Sequence, residues 1–173
     1  MPPLCEMSTN SIMKEVSNLT NKILAYKELE DFKMDNSIDW AVEMLQLGYE
    51  TPSLLILAGI SKPTNFFESE KYLIDTINEL NLKIPERKEA IFLYCKDIIT
   101  QIAARENIRK NLYQLYKIAQ TINDDKRIFD FYLLYWAWGD FDYGQEYSHY
   151  WEDATSSNIE QVIVDHAQKW LTS

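Results

Sequence analysis

The chain has few residues that interrupt helices and few that build covalent or metal frameworks. Its 173 residues include four glycines, five prolines, two cysteines and two histidines. Long stretches without glycine or proline favour helices over short strands joined by tight turns. Cys5 and Cys95 lie ninety residues apart, so the sequence indicates neither a disulfide framework nor a zinc knuckle. A reducing compartment is the expected setting.

Targeting signals and long apolar runs are also lacking. The start of the sequence, MPPLCEMSTN, has no basic segment followed by an apolar run and a cleavage site. We therefore expect no secretory signal and no lipid on Cys5. No apolar run approaches the roughly 18 residues that a membrane-spanning helix needs. The sequence predicts a cytoplasmic protein without a membrane partner.

Positive charge is the third scarce feature. Seventeen basic residues face 27 acidic ones, which gives a net charge of −10 and disfavours nucleic acid as a direct ligand. Residues 34–61 and 128–168 contain no Lys or Arg at all. If these two stretches meet in space, they form one anionic face that attracts a basic partner. The alternative is an acidic surface that only keeps the protein soluble.

Apolar side chains repeat at helical spacing along most of the chain. Ile12, Val16, Leu19, Ile23 and Tyr26 form one stripe of a helix predicted over residues 11–31. The other predicted helices have the following limits: Ser37 to Gly48, Thr51 to Gly59, Asn65 to Leu80, Pro85 to Glu106, Ile108 to Ile122, Lys126 to Trp138, and Asn158 to Leu171. We find no credible strand. The sequence therefore predicts a single all-α domain over residues 1–173, an antiparallel array or bundle of about eight helices, with residues 1–10 frayed.

Capping residues support several of these limits. Ser37, Thr51 and Asn65 are of the types preferred at helix N-caps, and Asn65 with Glu68 resembles a capping box. Gly48 can end a helix in the left-handed conformation that other residues rarely adopt.

The helix predicted at 126–138 and the segment after it differ from the rest of the chain. After Lys126 and Arg127 at its start, Asp130 is the only charge in this helix, and a helix that is apolar nearly all round is normally enclosed by others. Residues 139–157 lack helical periodicity, and connections of that length are often functional. Their Tyr and Trp side chains predict either an interface or a self-packed Ω-loop that covers the neighbouring helix ends.

Metal and catalytic interpretations of the 139–157 segment are weak. Counted from Asp140, the loop positions five, six and twelve hold Gly144, Gln145 and Trp151, which does not fit an EF-hand. Asp140 or Asp142 with Glu146 resembles the paired carboxylates of a glycosidase, but nothing in the spacing selects that chemistry. We expect no metal and no cofactor, and favour a protein that is not an enzyme.

The remaining nucleophiles and bases have structural interpretations. His166 lies on the apolar face of the last predicted helix and is expected to be a core histidine. His149 lies in the loop without a partner that would make it a general base. Cys95 lies on a buried stripe and is expected to pack as a small apolar residue.

Two segments carry a resemblance to known proteins. IDWAVEMLQLGYETPSLLILAG, with the later YCKDIITQI and LYKIAQ, resembles small uncharacterised bacterial α-helical proteins with a Trp-Ala helix and a GY turn, over roughly residues 36–122. The tail, from DYGQEYSHYW onward, resembles the end of other short bacterial proteins, some of which act as immunity or partner proteins. The resemblance implies an all-α fold and protein binding, and it carries no catalytic motif.

These observations together predict a protein-binding domain with a basic partner, in the manner of an immunity protein that neutralises a basic toxin or nuclease. Asp39 and Glu43 are expected neighbours of the binding surface. The rival hypothesis is an enzyme or glycan-type ligand binder with a pocket of Trp136, Trp138 and Tyr147 and with Asp140 or Glu146 as acid or base. The predicted partner-binding residues are Asp140, Asp142, Tyr143, Glu146, Tyr147, Trp151 and Asp153.

Overall fold

Helices make up all the regular structure of the described residues, which are 14–122 and 125–173 of the computed structural model. Within these residues there is no strand, so the predicted all-α class with about eight helices is confirmed. The predicted frayed segment 1–10, Cys5 and the first residues of the first predicted helix lie outside them. The helices are α1 (Thr20–Leu24), α2 (Asp35–Gln46), α3 (Pro52–Ala58), α4 (Phe66–Glu79), α5 (Arg87–Ala103), α6 (Ile108–Thr121), α7 (Phe129–Asp142) and α8 (Ile159–Thr172).

The prediction of one helix over residues 11–31 is wrong. α1 has five residues and is followed by a separate 3₁₀ turn, Tyr26–Glu28. Ser17 stands before α1, where its hydroxyl accepts a hydrogen bond from the Leu19 amide and donates one to Glu43 on α2. These side-chain bonds fix a turn where the apolar spacing predicted helix, because serine competes well for nearby backbone groups.

The limits of α2 follow the prediction at its end and differ at its start. α2 begins at Asp35 after Met34, and Ser37 lies buried in its first turn, where its hydroxyl donates to the Met34 carbonyl. Gly48 has φ +81° and closes the helix as predicted. The Tyr49 amide donates to the Met44 carbonyl, which completes a Schellman-type end.

The predicted caps of α3 and α4 are confirmed. The Thr51 side chain accepts a hydrogen bond from the Leu54 amide, with Pro52 in the first turn of α3. The Asn65 side chain accepts one from the Glu68 amide at the start of α4. These side-chain acceptors satisfy amide groups that have no partner within the helix.

The buried residues form two clusters, one for each half of the chain. The N-terminal cluster lies between α1, α2, α3 and α4 and contains the fully buried Trp40. The C-terminal cluster lies between α5, α6, α7 and α8, where each helix packs against two of the others. α1 also packs on α5 and joins the two halves, with a hydrogen bond of 2.9 Å from the Asn21 amide group to Asp97.

α7 begins and ends later in the chain than the helix predicted over residues 126–138, and it is not enclosed. It continues through Gly139 and ends at Asp142, with Gly144 at φ +80° behind it. The predicted loop of 139–157 is therefore wrong at its start, and Asp140 and Asp142 are helical residues. α7 packs against α6 and α8. Phe129 and Trp136 remain exposed, 41% and 36% respectively, so aromatic side chains line a face of α7 that other helices do not cover.

Candidate functional site

An aromatic surface extends over α6, α7 and the segment after α7. We use this name for the side chains of Tyr113, Tyr116, Phe129, Tyr132, Tyr135, Trp136 and Tyr150. The rings of Tyr116 and Tyr135 stack at 4.0 Å between centroids, and those of Tyr116 and Tyr132 at 5.4 Å. Trp136 stacks on Tyr150 at 6.1 Å and thereby links α7 to the loop. Such contacts hold the rings in fixed positions at little entropic cost.

Two further tyrosines project into solvent beside this surface. Tyr143, the residue that follows the last turn of α7, is 87% exposed, and Tyr147 is 71% exposed. Both are predicted partner-binding residues. A tyrosine side chain exposed to this extent contributes little to the folded core, so its packing does not explain its presence.

Asp140 holds the loop after α7 in place. Its Oδ2 accepts a hydrogen bond of 2.9 Å from the Ser148 hydroxyl and one of 3.2 Å from the His149 amide. The Ser148 hydroxyl in turn accepts from the Tyr150 amide at 3.0 Å. Asp140 was predicted to contact a partner, whereas in the structure its carboxylate bonds within the chain and positions the segment that carries Tyr147 and Tyr150.

Trp151 packs inward, unlike Tyr143 and Tyr147. It is half-buried against the C-terminal cluster, with its ring edge-to-face on His166 at 5.2 Å. His166 also meets Phe131 edge-to-face at 5.1 Å. Trp151 therefore packs on the C-terminal cluster, as the self-packed alternative predicts, whereas Tyr143 and Tyr147 remain exposed and the interface alternative stays a prediction.

His166, which the sequence predicts to be a core histidine, is only partly buried. Its Nε2 lies 3.3 Å from Asp130 Oδ2, yet the alignment is not that of a hydrogen bond. Burial lowers the pKa of His166, although the Asp130 carboxylate acts in the opposite direction. The neutral imidazole is therefore favoured in the folded protein.

Arg109 on α6 neutralises part of the acidic end of α7. Its guanidinium pairs with both carboxylate oxygens of Asp142 and lies over the Trp138 ring at 4.9 Å from the centroid. Residues 128–168 lack a cation in sequence, but α6 supplies one in space. The predicted anionic surface is therefore interrupted at Asp142.

A cleft of about 500 Å³ lies between α6 and the end of α7. Trp136, Trp138 and Asp142 line it, together with Arg109 and Tyr143. Of the residues that the rival hypothesis assigns to a pocket, Trp136 and Trp138 line this cleft. Tyr147, Asp140 and Glu146 do not. The carboxylate that does line the cleft already holds an arginine, which is unlike the free acid and base that glycoside hydrolysis needs.

The other predicted acidic residues differ in their surroundings. Glu146 and Asp153 are exposed, and among the described residues neither forms an ion pair. The predicted neighbours on α2 have partners in the N-terminal half: Asp39 pairs with Lys62, and Glu43 bonds to Ser17. α2 packs on α1 and α3, so the structure does not bring these two residues to α7.

The described residues contain neither a group of potential metal ligands nor an accessible thiol. No three His, Cys, Asp or Glu side chains there are placed to hold one ion. Cys95 is fully buried as expected, and burial raises the pKa of its thiol to about 12. No described helix combines the length and the apolar character needed to span a bilayer.

Sequence reasoning missed the contribution of α6 to the site. Arg109, Tyr113 and Tyr116 follow one another at spacings of four and three residues, which places them on one face of α6. The apolar stripe of the same helix predicted only its buried face. The spacing of these three residues was the available signal.

Comparison with protein-family models, with curated proteins and with solved structures finds no match to this chain. The resemblance of residues 36–122 and of the tail to bacterial helical and immunity-type proteins therefore stays a prediction.

Proposed function

We propose that the protein is a non-enzymatic, cytoplasmic binding domain whose partner is a basic protein. The observation that carries this proposal is the exposure of Tyr143 and Tyr147, 87% and 71%, at the edge of the aromatic surface. Tyrosine and tryptophan are enriched at protein interfaces, where they supply large contact areas with few rotatable bonds. Exposed aromatic patches of this kind usually mark binding sites.

The charge around the tyrosines supports a basic partner. Glu146 and Glu152 are exposed on the same segment, and in the described part of the chain no Lys or Arg pairs with them. With a net charge of −10, the protein attracts cationic surfaces over a distance and repels anionic ones. Charges at the rim of an interface mainly select the partner and accelerate association.

The finer proposal is an immunity-type role, in which the partner is a toxin or nuclease. A nuclease presents cations to the phosphate groups of its substrate. An acidic surface with protruding tyrosines is complementary to such a site and can block it. The immunity-type proposal rests on this complementarity to a cationic partner site and on the resemblance of the tail to immunity-type proteins.

The partner surface is tested with two double variants and a control. The native-cell partner is first recovered on the wild-type protein, and its affinity is then measured in purified form. Tyr143→Ala with Tyr147→Ala is expected to weaken binding at least ~30-fold, since interface hot spots are worth about 2 kcal/mol or more. Circular dichroism and the unfolding midpoint should stay unchanged because both side chains are exposed.

The charge is tested by Glu146→Lys with Glu152→Lys, against a control of equal charge change, Glu15→Lys with Glu50→Lys. All four glutamates are exposed. The first pair is expected to slow association and to remove its salt dependence, and the second to do so far less. Equal effects of the two pairs, or a partner without net positive charge, would contradict the proposal. Asp140 is left intact because it holds the loop.

The immunity-type role has its own test. The recovered partner is expressed alone and together with the wild-type protein or the tyrosine double variant. Growth arrest by the partner alone, relieved by the wild type and not by the variant, supports neutralisation. If the partner has no toxic activity, the proposal of protein binding still holds, but the proposal that the partner is a toxin is overturned.

The cleft with two tryptophans favours one second candidate, a binder of small glycan-type ligands, because flat sugar faces stack on indole rings. Titration with short oligosaccharides, followed by tryptophan emission, separates the two candidates. Emission changes that disappear in Trp136→Ala, with no protein partner recovered, would favour the ligand binder.

A further inference from the structure

A second cleft lies away from the end of α7, between the segment that follows α1 and helices α5 and α6. Its volume is about 180 Å³, and it shares only Tyr113 with the aromatic surface. Its apolar wall is formed by Leu29, Phe32, Ile91 and Ile118. Small-molecule sites typically combine such a wall with a few polar groups that orient the ligand.

Two lysines line this cleft without carboxylate partners. Lys22 on α1 donates to the Asn36 side-chain oxygen at 3.0 Å, and its Nζ lies 6.0 Å from the centre of the Tyr94 ring. Lys117 on α6 lines the same cleft. Across residues 14–122 and 125–173, neither lysine forms an ion pair. Other lysines also lack an ion pair, but they are exposed, whereas Lys22 and Lys117 are both partly buried.

The surroundings of Lys22 make a bound anion favourable. Lys22 is half-buried, and burial together with the charge of Lys110 lowers its pKa, against a smaller opposite effect of Asp39. A partly buried ammonium without a direct ion pair is stabilised when an anion comes near. An anion in this cleft would supply that charge beside the ring of Tyr94.

The carboxylates at the cleft limit the charge of the ligand. Glu28 pairs with Arg87 at 2.5 Å and is neutralised by it. Glu30 and Asp31 line the cleft but are exposed, where water and salt weaken their fields. They oppose a dianion more strongly than a monoanion. A carboxylate therefore fits the site better than a phosphate.

A neutral donor completes the polar end of the cleft. The Tyr94 hydroxyl donates to the Gln114 side-chain oxygen at 3.1 Å, and both residues line the cleft. This bond orients the amide and leaves its NH₂ group as a donor. We propose that the cleft binds a small organic monocarboxylate with an apolar body, of the size of benzoate, through Lys22, Lys117 and Gln114. This site is independent of the proposed protein partner.

The proposal is tested by calorimetric titration of the whole protein with four probes of similar shape. Benzoate is expected to bind at least tenfold more tightly than benzamide, benzylamine or phenyl phosphate. Benzamide lacks the charge, benzylamine reverses it, and phenyl phosphate carries more of it. Equal binding of benzamide or benzylamine would overturn the anion site, and equal binding of phenyl phosphate would overturn the preference for a carboxylate.

Variants locate the binding. Lys22→Met and Lys117→Met are each expected to weaken benzoate binding at least tenfold, whereas Lys83→Met, an exposed lysine outside the cleft, should leave it unchanged. Because Lys22 is half-buried, Thr121→Trp serves as a second test. Thr121 lines the cleft, so the indole should block it without removing a charge. Undiminished binding in Lys117→Met and Thr121→Trp would place the ligand elsewhere and overturn the proposal.

Discussion

Two tryptophans, one in each half of the molecule, have opposite surroundings. In the N-terminal cluster Trp40 is fully buried, and its indole nitrogen donates to the Thr20 hydroxyl at 3.1 Å. In the C-terminal half Trp136 is 36% exposed and is stacked on Tyr150. The same residue type thus fills a core in one half and builds a surface in the other. The difference teaches that aromatic content alone does not locate a core. Whether an aromatic side chain is buried depends on which neighbouring helices cover it.

The largest expected effect separates these two tryptophans. Trp40→Ala leaves a cavity and an unpaired threonine and is expected to lower the free energy of unfolding by about 3–5 kcal/mol. Trp136→Ala loses mainly ring stacking, worth about 0.5–1.5 kcal/mol. Urea denaturation followed by far-UV circular dichroism measures both. Similar losses would mean that Trp136 belongs to the core and would break the comparison.

A smaller effect is expected for two aspartates, one in each half. Asp140→Ala removes two hydrogen bonds that hold the loop and is expected to cost about 1–2 kcal/mol. It should also speed proteolysis within residues 143–158. Asp39→Ala breaks an exposed ion pair with Lys62, worth about 0–1 kcal/mol. An unchanged rate of cleavage in Asp140→Ala would show that other contacts hold the loop.

Three glycines test where the helices end. Gly48 and Gly144 have positive φ and close α2 and α7, so each change to Ala is expected to destabilise the protein by about 1 kcal/mol. Gly139 lies inside α7, and a Cβ there meets nothing within 4 Å. Gly139→Ala is therefore expected to stabilise by about 0.5–1 kcal/mol. Thermal unfolding shows whether each variant is more or less stable than the wild type. If Gly139→Ala is destabilising, the helix ends near Gly139, as the sequence predicts, and not at Asp142.

The smallest effect is expected from pH. The pKa of His166 is lowered from the ordinary 6.5, so the unfolded chain binds more protons than the folded one just below that pH. The free energy of unfolding should therefore fall as the pH falls through 6.5, and become constant below the pKa of the folded state. His166→Phe should remove this slope. A slope that persists in this variant would assign it to other groups.

Much of the architecture is predictable from the sequence because its signals are local. Thr51, Asn65 and Gly48 specify helix ends through their own side chains or backbone, and the structure confirms all three. The first helix was predicted wrongly because Ser17 is held by Glu43, a contact 26 residues away. Such long-range bonds leave no periodic trace in the chain.

The candidate site was harder to predict than the fold, because it depends on which faces remain uncovered. Tyr143 and Tyr147 were located by composition, and the structure places them in solvent. The end of α7 was missed because Gly139 looks like a helix end, although Gly144 takes that position. Arg109 was missed because its partner Asp142 is 33 residues away in sequence.

The contact of α1 with α5 joins two groups of buried residues that are otherwise built from different helices. A chain organised in this way can open one half while the other stays closed. Amide hydrogens should therefore exchange in two blocks, each with its own protection, and a ligand held between Lys22 and Lys117 would slow both blocks together. The five-residue α1 would then set how far the folding of one half depends on the other.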